Sequence, residues 1–276
     1  MRNKILAIVV TYYPEKELLE KNILSFIDEV DKVLIWENTP QADRQVYRYI
    51  QHGKVDYCGD DTNSISHALN YAWRYAAYHC YDYLLTMDQD SVFEHFAAYR
   101  DAVVSMNGKE QCIVGPETTR VDLGKYDDFI PVPAIITSGM LVSVSLIERL
   151  DGFCEAFSVD AVDSELCVKA MSRGIHVYQH SKTFLQHRLG NTSDHHKNRP
   201  CLVRSYSPKR LYGIFRNHII LYRKYRDNAW LRDIIKAYFR IYFIGIILYD
   251  NHQKMKKTFS ILKGVKDAMF FDIDTI

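Results

Sequence analysis

Asp88 and Asp90 stand two residues apart, directly after the apolar run Tyr83-Leu-Leu-Thr-Met87. Two carboxylates at that spacing past a buried strand aim neighbouring oxygens at one point. Hard oxygen donors at that density suit Mg²⁺ or Mn²⁺ bridging a diphosphate. The same string is common in solvated turns, so its position in the fold has to decide. A second acidic group, Asp160-x-x-Asp163-x-Glu165, opens a helical pattern. Acids in a first turn stabilise the helix dipole by about 0.3–1 kcal/mol, so capping alone accounts for them. His187 lies in Gln186-His-Arg-Leu-Gly190, and a lone histidine is more often structural than a ligand. His195 and His196 lack partners at zinc-site spacing.

The elements that position these residues alternate. Lys4 to Val10 is a strand-length β-branched run stopped by Thr11-Tyr-Tyr-Pro14. Glu15 to Val30 has apolar residues at helical spacing, and Asp31 to Trp36 reads as a second strand. This β-α-β unit requires a right-handed crossover and parallel strands whose carboxyl ends share one edge. Ile65 to His79 is a further helix, followed by the strand Tyr83 to Met87. Ligands of open α/β sheets bind outside the strands' carboxyl ends, where Thr11, Glu37 and Asp88 all fall. That placement favours the metal reading of Asp88 and Asp90. Ile113-Val-Gly-Pro116, Ala134-Ile-Ile-Thr137 and Ile175 to Tyr178 are further strand candidates. Asp163 to Arg173 reads as a helix ended by Gly174, and the chain becomes helical from Ser207.

The 276 residues are 47% hydrophobic and 25% charged, which is a globular composition, and the formal charge of +1 argues against a nucleic-acid binder. The charge is unevenly spread. Residues 199–276 carry 16 basic against 6 acidic side chains, whereas residues 1–198 carry 19 against 28. Six scattered cysteines without a C-x-x-C pair fit a reducing, cytoplasmic compartment, and the start of the chain does not read as a signal peptide.

The ordered motifs resemble those of inverting, family 2 nucleotide-sugar glycosyltransferases of the GT-A fold, in particular the rhamnosyltransferase type. They are Ile8-Val-Val-Thr-Tyr-Tyr-Pro14, Glu37-Asn38, Asn63 to Asn70, Leu84 to Ser91, Thr137-Ser-Gly139, Gly152 to Phe157, Asp160 to Glu165, His187 to Gly190 and Arg210 to Asn217. The resemblance implies a Rossmann-like mixed, mostly parallel sheet flanked by helices over residues 1–205, with a basic, aromatic helical region at 206–276. It assigns Thr11, Tyr13 and Glu37 to the nucleobase pocket, and Asn63, Asn70 and Ser138 to the donor. It assigns Asp88 to the ribose or metal-bound water, Asp90 to Mg²⁺ or Mn²⁺, and His187 or Arg216 to the diphosphate or its metal. Asp163 takes the place of the base that deprotonates the acceptor hydroxyl, with Glu165 as a supporting acid. The chain departs from the pattern at Glu37, usually Asp, at Ser64, usually Gly, and at Lys169, often Arg.

The expected partners are a nucleoside-diphosphate sugar, dTDP-rhamnose foremost, and a hydroxyl of a surface polysaccharide or lipid-linked glycan. A nucleotide-sugar binder at the membrane that has lost turnover is the competing reading. A nucleotidyltransferase would need a Gly-rich phosphate loop where Thr11-Tyr-Tyr-Pro14 stands. Ile234 to Tyr249 is interrupted by Lys236 and Arg240 and is too short to span a bilayer. Three roles stay open for the stretch 234–257: peripheral contact with the inner face of the cytoplasmic membrane, packing on the main domain, and homodimerisation.

Overall fold

A computed structural model describes residues 3–47, 50–118, 127–187, 206–249 and 253–276. The chain divides into two units, Met1–Ser158 with Val162–Arg188, and Val159–Ala161 with Leu189–Ile276. Arg188 to Gly190, the connection Asn191 to Ser205, and with it His195 and His196, lie outside the described residues.

The first unit is a mixed sheet flanked by helices. Strands β1 (Ile5–Thr11), β2 (Lys32–Glu37), β3 (Val55–Cys58) and β4 (Tyr83–Asp88) run parallel in the order β3-β2-β1-β4. Ile5 to Val9 are almost completely buried, because both faces of a parallel sheet are covered. Each buried Ile, Leu or Val side chain among them contributes about 1.5–3 kcal/mol. The sheet continues through β8 (Met140–Ser143), antiparallel to β4, then β6 (Cys112–Glu117) and β9 (His176–Gln186). Short strands β5 (Val92–Phe93) and β7 (Phe129–Pro131) both pair with β9. Two reversals, β4 to β8 and β8 to β6, restore the direction of β4 in β9. The carboxyl ends of β1, β2, β3, β4 and β9 therefore share one edge with the start of β8.

The helices of this unit are α1 (Lys16–Leu24), α2 (Ile65–Tyr78), α3 (Phe96–Asn107), α4 (Val144–Arg149) and α5 (Val162–Ser172). The expected helix from Glu15 to Val30 stops early, since Ser25 Oγ donates to Asn22 O at 2.6 Å and Ile27–Glu29 tighten into a 3₁₀ turn. Ala134 to Thr137 is not a strand. Its carbonyls meet side chains instead of a ladder, Cys167 Sγ at Ile135 O and Thr86 Oγ1 at Thr137 O, and the strand begins only after Gly139, whose φ is +82°.

The second unit is helical: α6 (Pro208–Lys224), α7 (Ala229–Tyr238), a π-helical segment (Phe239–Ile244), α8 (Gly245–Tyr249) and α9 (Lys254–Phe270). Leu211, Ile214, Phe215, Tyr242, Ile246 and Ile261 form its core. Gly264 lets α9 approach α6 closely, since a Cβ there would sit 2.6 Å from Tyr212 O. Among the described residues no helix is long and apolar enough to cross a membrane.

Candidate functional site

The shared carboxyl edge gathers polar side chains from elements far apart in sequence. One ligand atom from each of Asp88, Asp90 and His187 lies within 4.8 Å of the others, and all three residues are half-buried. Two carboxylates and an imidazole are a donor set that suits Mn²⁺ or Mg²⁺, so the residues fit the ion the sequence led us to expect.

A chain of hydroxyls fixes this trio from below. Asp88 N donates to Ser138 Oγ at 3.1 Å, Ser138 Oγ donates to Ser91 Oγ at 2.8 Å, and Ser91 Oγ lies 2.8 Å from His187 Nδ1. In the tautomer that donates Nδ1–H to Ser91, the Nε2 lone pair stays available to a metal. Ser138 and Ser91 are fully buried, and the Ser138 hydroxyl, expected at the donor sugar, supports Asp88 and Ser91.

Asn22 on α1 supports the same turn. It is fully buried, and its amide donates to Asp88 O at 2.9 Å and to Ser91 O. Gln89 closes the other flank by accepting from Tyr12 N at 2.7 Å and donating to Tyr12 O at 3.3 Å. Neither residue was singled out in the sequence. The available signal was a polar side chain at position 22 on the apolar face marked by residues 18, 19, 23 and 26.

The expected base pocket also lies on this edge. Thr11 and Glu37 are register partners at the ends of β1 and β2, and each is 1% exposed. Thr11 Oγ1 donates to Trp36 O at 3.2 Å. The backbone of Gly59 crowds against Glu37, because a Cβ there would lie 2.6 Å from Glu37 O and the φ is +149°. Tyr13 takes φ +46° and donates its hydroxyl to Asp43 at 2.9 Å, while Asn63 also takes φ +46° just before α2. Left-handed non-glycine residues are costly and gather at functional loops. Here two of them bracket the same sheet edge.

Asn70 is tied to the Phe153–Glu155 loop. Its amide donates to Phe153 O and to Glu155 Oε1, both at 2.8 Å, and its carbonyl accepts from Phe153 N at 2.8 Å. Every hydrogen-bonding atom of this side chain is thereby engaged in holding the loop before α5. The Asn70 amide also holds the Glu155 carboxyl below the ordinary range, together with His67 3.2 Å away.

The acidic cluster separates in space. Asp163, in the first turn of α5, is half-buried and accepts from Ser164 N at 2.7 Å; burial pushes its carboxyl above the usual range. Glu165 follows two residues later on the same helix. It is 2% exposed, with Lys169 Nζ at 3.2 Å, and Lys169 also donates to Gly152 O at 2.8 Å. Glu165 thereby pairs with Lys169 along α5, and Lys169 ties the helix to the Gly152 loop. Asp160 pairs with Arg210 at 3.4 Å within the second unit.

Cys167, one turn beyond Asp163, touches Ile135 O, and Ser138, three residues on from Ile135, touches both Asp88 and Ser91. Three extended residues span about 10 Å, so α5 and the Asp88–Asp90 turn flank a single short segment of chain. Arg216 belongs to the second unit, where its guanidinium bonds Asn217 Oδ1 at 2.7 Å and lies 5.0 Å from the Phe271 ring.

No family model and no curated protein sequence matches this chain. Solved structures do. S. aureus TarS 1–349 in complex with UDP-GlcNAc aligns with a TM-score of 0.59 at 15% identity, covering 99% of this chain and 89% of that one. GalNAc-T7 with UDP, GalNAc and Mn²⁺ aligns with a TM-score of 0.63 at 11% identity, over 97% of this chain and 56% of that one. At such identities the likeness is one of fold, and the fold is GT-A.

Proposed function

We propose that the chain is an inverting, metal-dependent glycosyltransferase that moves a sugar from a nucleoside-diphosphate donor to a hydroxyl of a surface polysaccharide or lipid-linked glycan. The observation that carries this reading is the convergence of Asp88, Asp90 and His187 at the carboxyl edge of a GT-A sheet. Structures of this fold bound to UDP-GlcNAc, and to UDP, GalNAc and Mn²⁺, support a nucleotide-sugar donor. The motif resemblance supports rhamnose, delivered as dTDP-rhamnose, as the donor sugar.

In this mechanism Asp163 is the base. Its burial raises its affinity for a proton, as a carboxylate needs when it must take one from an alcohol near neutral pH. The acceptor oxygen attacks the anomeric carbon from the face opposite the diphosphate, which inverts the configuration. Asp88, Asp90 and His187 would hold Mg²⁺ or Mn²⁺, whose charge offsets that of the leaving diphosphate. Ser91, Ser138 and Asn22 keep those ligands in place without touching substrate. Thr11, Tyr13 and Glu37 line the nucleobase end and Asn63 the phosphate end near the start of α2, where backbone N–H groups favour anions.

The test is a thermal-shift panel of dTDP-rhamnose, UDP-GlcNAc and UDP-GalNAc, each with and without Mn²⁺, followed by assay of free nucleotide. One donor should raise the melting temperature in a Mn²⁺-dependent way and release its nucleoside diphosphate. Binding without release would identify a non-catalytic binder. Absence of any donor-induced shift would sink the assignment altogether.

A further inference from the structure

Helix α9 is apolar on two opposite sides. One side, with Ile261, Gly264 and Ala268, packs within the second unit at the close approach to Tyr212. The other carries Met255, Phe259, Leu262, Met269 and Phe270, which are 86%, 74%, 51%, 57% and 82% exposed. Successive helical residues turn by about 100°, so these five fall within an arc of about 100° along the whole length of α9. A protein surface rarely leaves two phenylalanines and two methionines this open on one helix unless something covers them.

The charges around the arc say what covers it. Lys266 lies in its middle, Lys256 and Lys263 along one border and Lys254 along the other, all exposed. The only acid of α9, Asp267, lies outside the arc and accepts from Tyr212 OH at 2.8 Å. Residues 206–276 as a whole carry 14 basic against 6 acidic side chains. Two copies joined through this face would bring their lysines together, whereas an anionic surface would neutralise them. We infer that α9 is a membrane-docking helix whose Met255–Phe270 face enters the headgroup boundary of an anionic bilayer, with its lysines on lipid phosphates.

Membrane contact is one of the three roles that the sequence leaves open for 234–257, and we centre it on α9. Ile241, Ile244 and Leu248, also exposed in the same unit at spacings of three and four, provide a lesser second row. The inference is independent of the proposed sugar transfer, because its test uses neither donor nor acceptor.

The experiment is flotation of the full chain with phosphatidylcholine vesicles, alone or with about one-quarter phosphatidylglycerol, at low salt and at about 0.5 M salt. The chain should float with the anionic vesicles at low salt and bind the neutral ones at least about tenfold more weakly, with high salt removing the difference. Phe259→Asp/Phe270→Asp should lower binding to anionic vesicles by about tenfold or more. Both positions are exposed, and an unchanged melting curve would establish that the variant folds. Lys256→Glu/Lys263→Glu/Lys266→Glu should abolish the preference for anionic lipid, at about fivefold per residue. Equal binding to neutral and anionic vesicles, no binding to either, or binding indifferent to both variants overturns the inference. Dimers in sedimentation that Phe259→Asp dissociates, with no vesicle binding, would make this face a subunit interface instead.

Discussion

The carboxyl edge of the sheet and the helices of the C-terminal unit put polar groups to opposite uses. At the edge, buried polar side chains such as Asn22, Ser91 and Ser138 hold one another and the turn that bears Asp88 and Asp90. In the C-terminal unit polar groups tie helix to helix, as Tyr212 of α6 does by donating its hydroxyl to Asp267 of α9 at 2.8 Å, while apolar surface faces outward. A buried hydrogen-bonded network fixes geometry because each member left unpaired costs about 1–3 kcal/mol. An exposed apolar face fixes nothing by itself and is available to a partner. The difference teaches that damage to the edge should fall on chemistry, and damage to the helices on stability or docking.

The largest effect expected on that contrast is Asp163→Asn. It should lower kcat by about 10²–10⁴-fold while donor affinity measured by calorimetry stays near that of the parent chain. Retained turnover would remove Asp163 from the mechanism. Next is Gly264→Leu, which drives a side chain into the Tyr212 carbonyl and should cost roughly 1–3 kcal/mol in urea unfolding, with donor affinity of the folded protein unaltered. If donor affinity fell equally, the two regions would not be separable.

A pH series follows. Burial lowers His218 to about 4, below its unfolded value of 6.5, so the folded state holds it neutral. Its stabilising contribution is complete above the unfolded value and is lost as pH falls from there toward about 4. From pH 7 to pH 5 the loss should be about 2 kcal/mol, read from urea midpoints, and His218→Leu should remove that part of the slope. The smallest effect is Ser91→Ala, which takes the hydroxyl from His187 Nδ1 and should weaken Mn²⁺ binding about tenfold with little change in melting temperature. Equal Mn²⁺ affinity in the two proteins would show that the hydroxyl chain does not tune the site.

Much of the fold was legible because parallel strands buried on both faces leave nearly continuous apolar runs, as in Ile5 to Val10 and Leu84 to Met87. The half of the sheet beyond β4 was harder to read. Ala134 to Thr137 reads as a strand in place of Met140 to Ser143 because it is apolar, but Ile135 packs against Gly115 of β6 and the segment's carbonyls bond side chains instead of a ladder. For the site, Asp88, Asp90 and His187 could be picked from the sequence by type and motif, and the structure brings them together. Asn70 and Ser138 could be picked out, but their hydrogen-bond partners lie 83 and 47 residues away and only the fold brings them together, whereas the Glu165–Lys169 pair is four residues apart on α5.

Local, periodic features can be read from the chain pattern alone: a β-α-β start, acids immediately past a buried strand, and a basic helical end. Tertiary structure alone decided which polar groups are consumed internally. It set the Asn70 side chain on Phe153 and Glu155, joined Ser138 to Ser91, and left the Met255–Phe270 face of α9 exposed. The reason is that a hydrogen bond or a burial belongs to a pair of groups, and the chain pattern supplies only one member at a time.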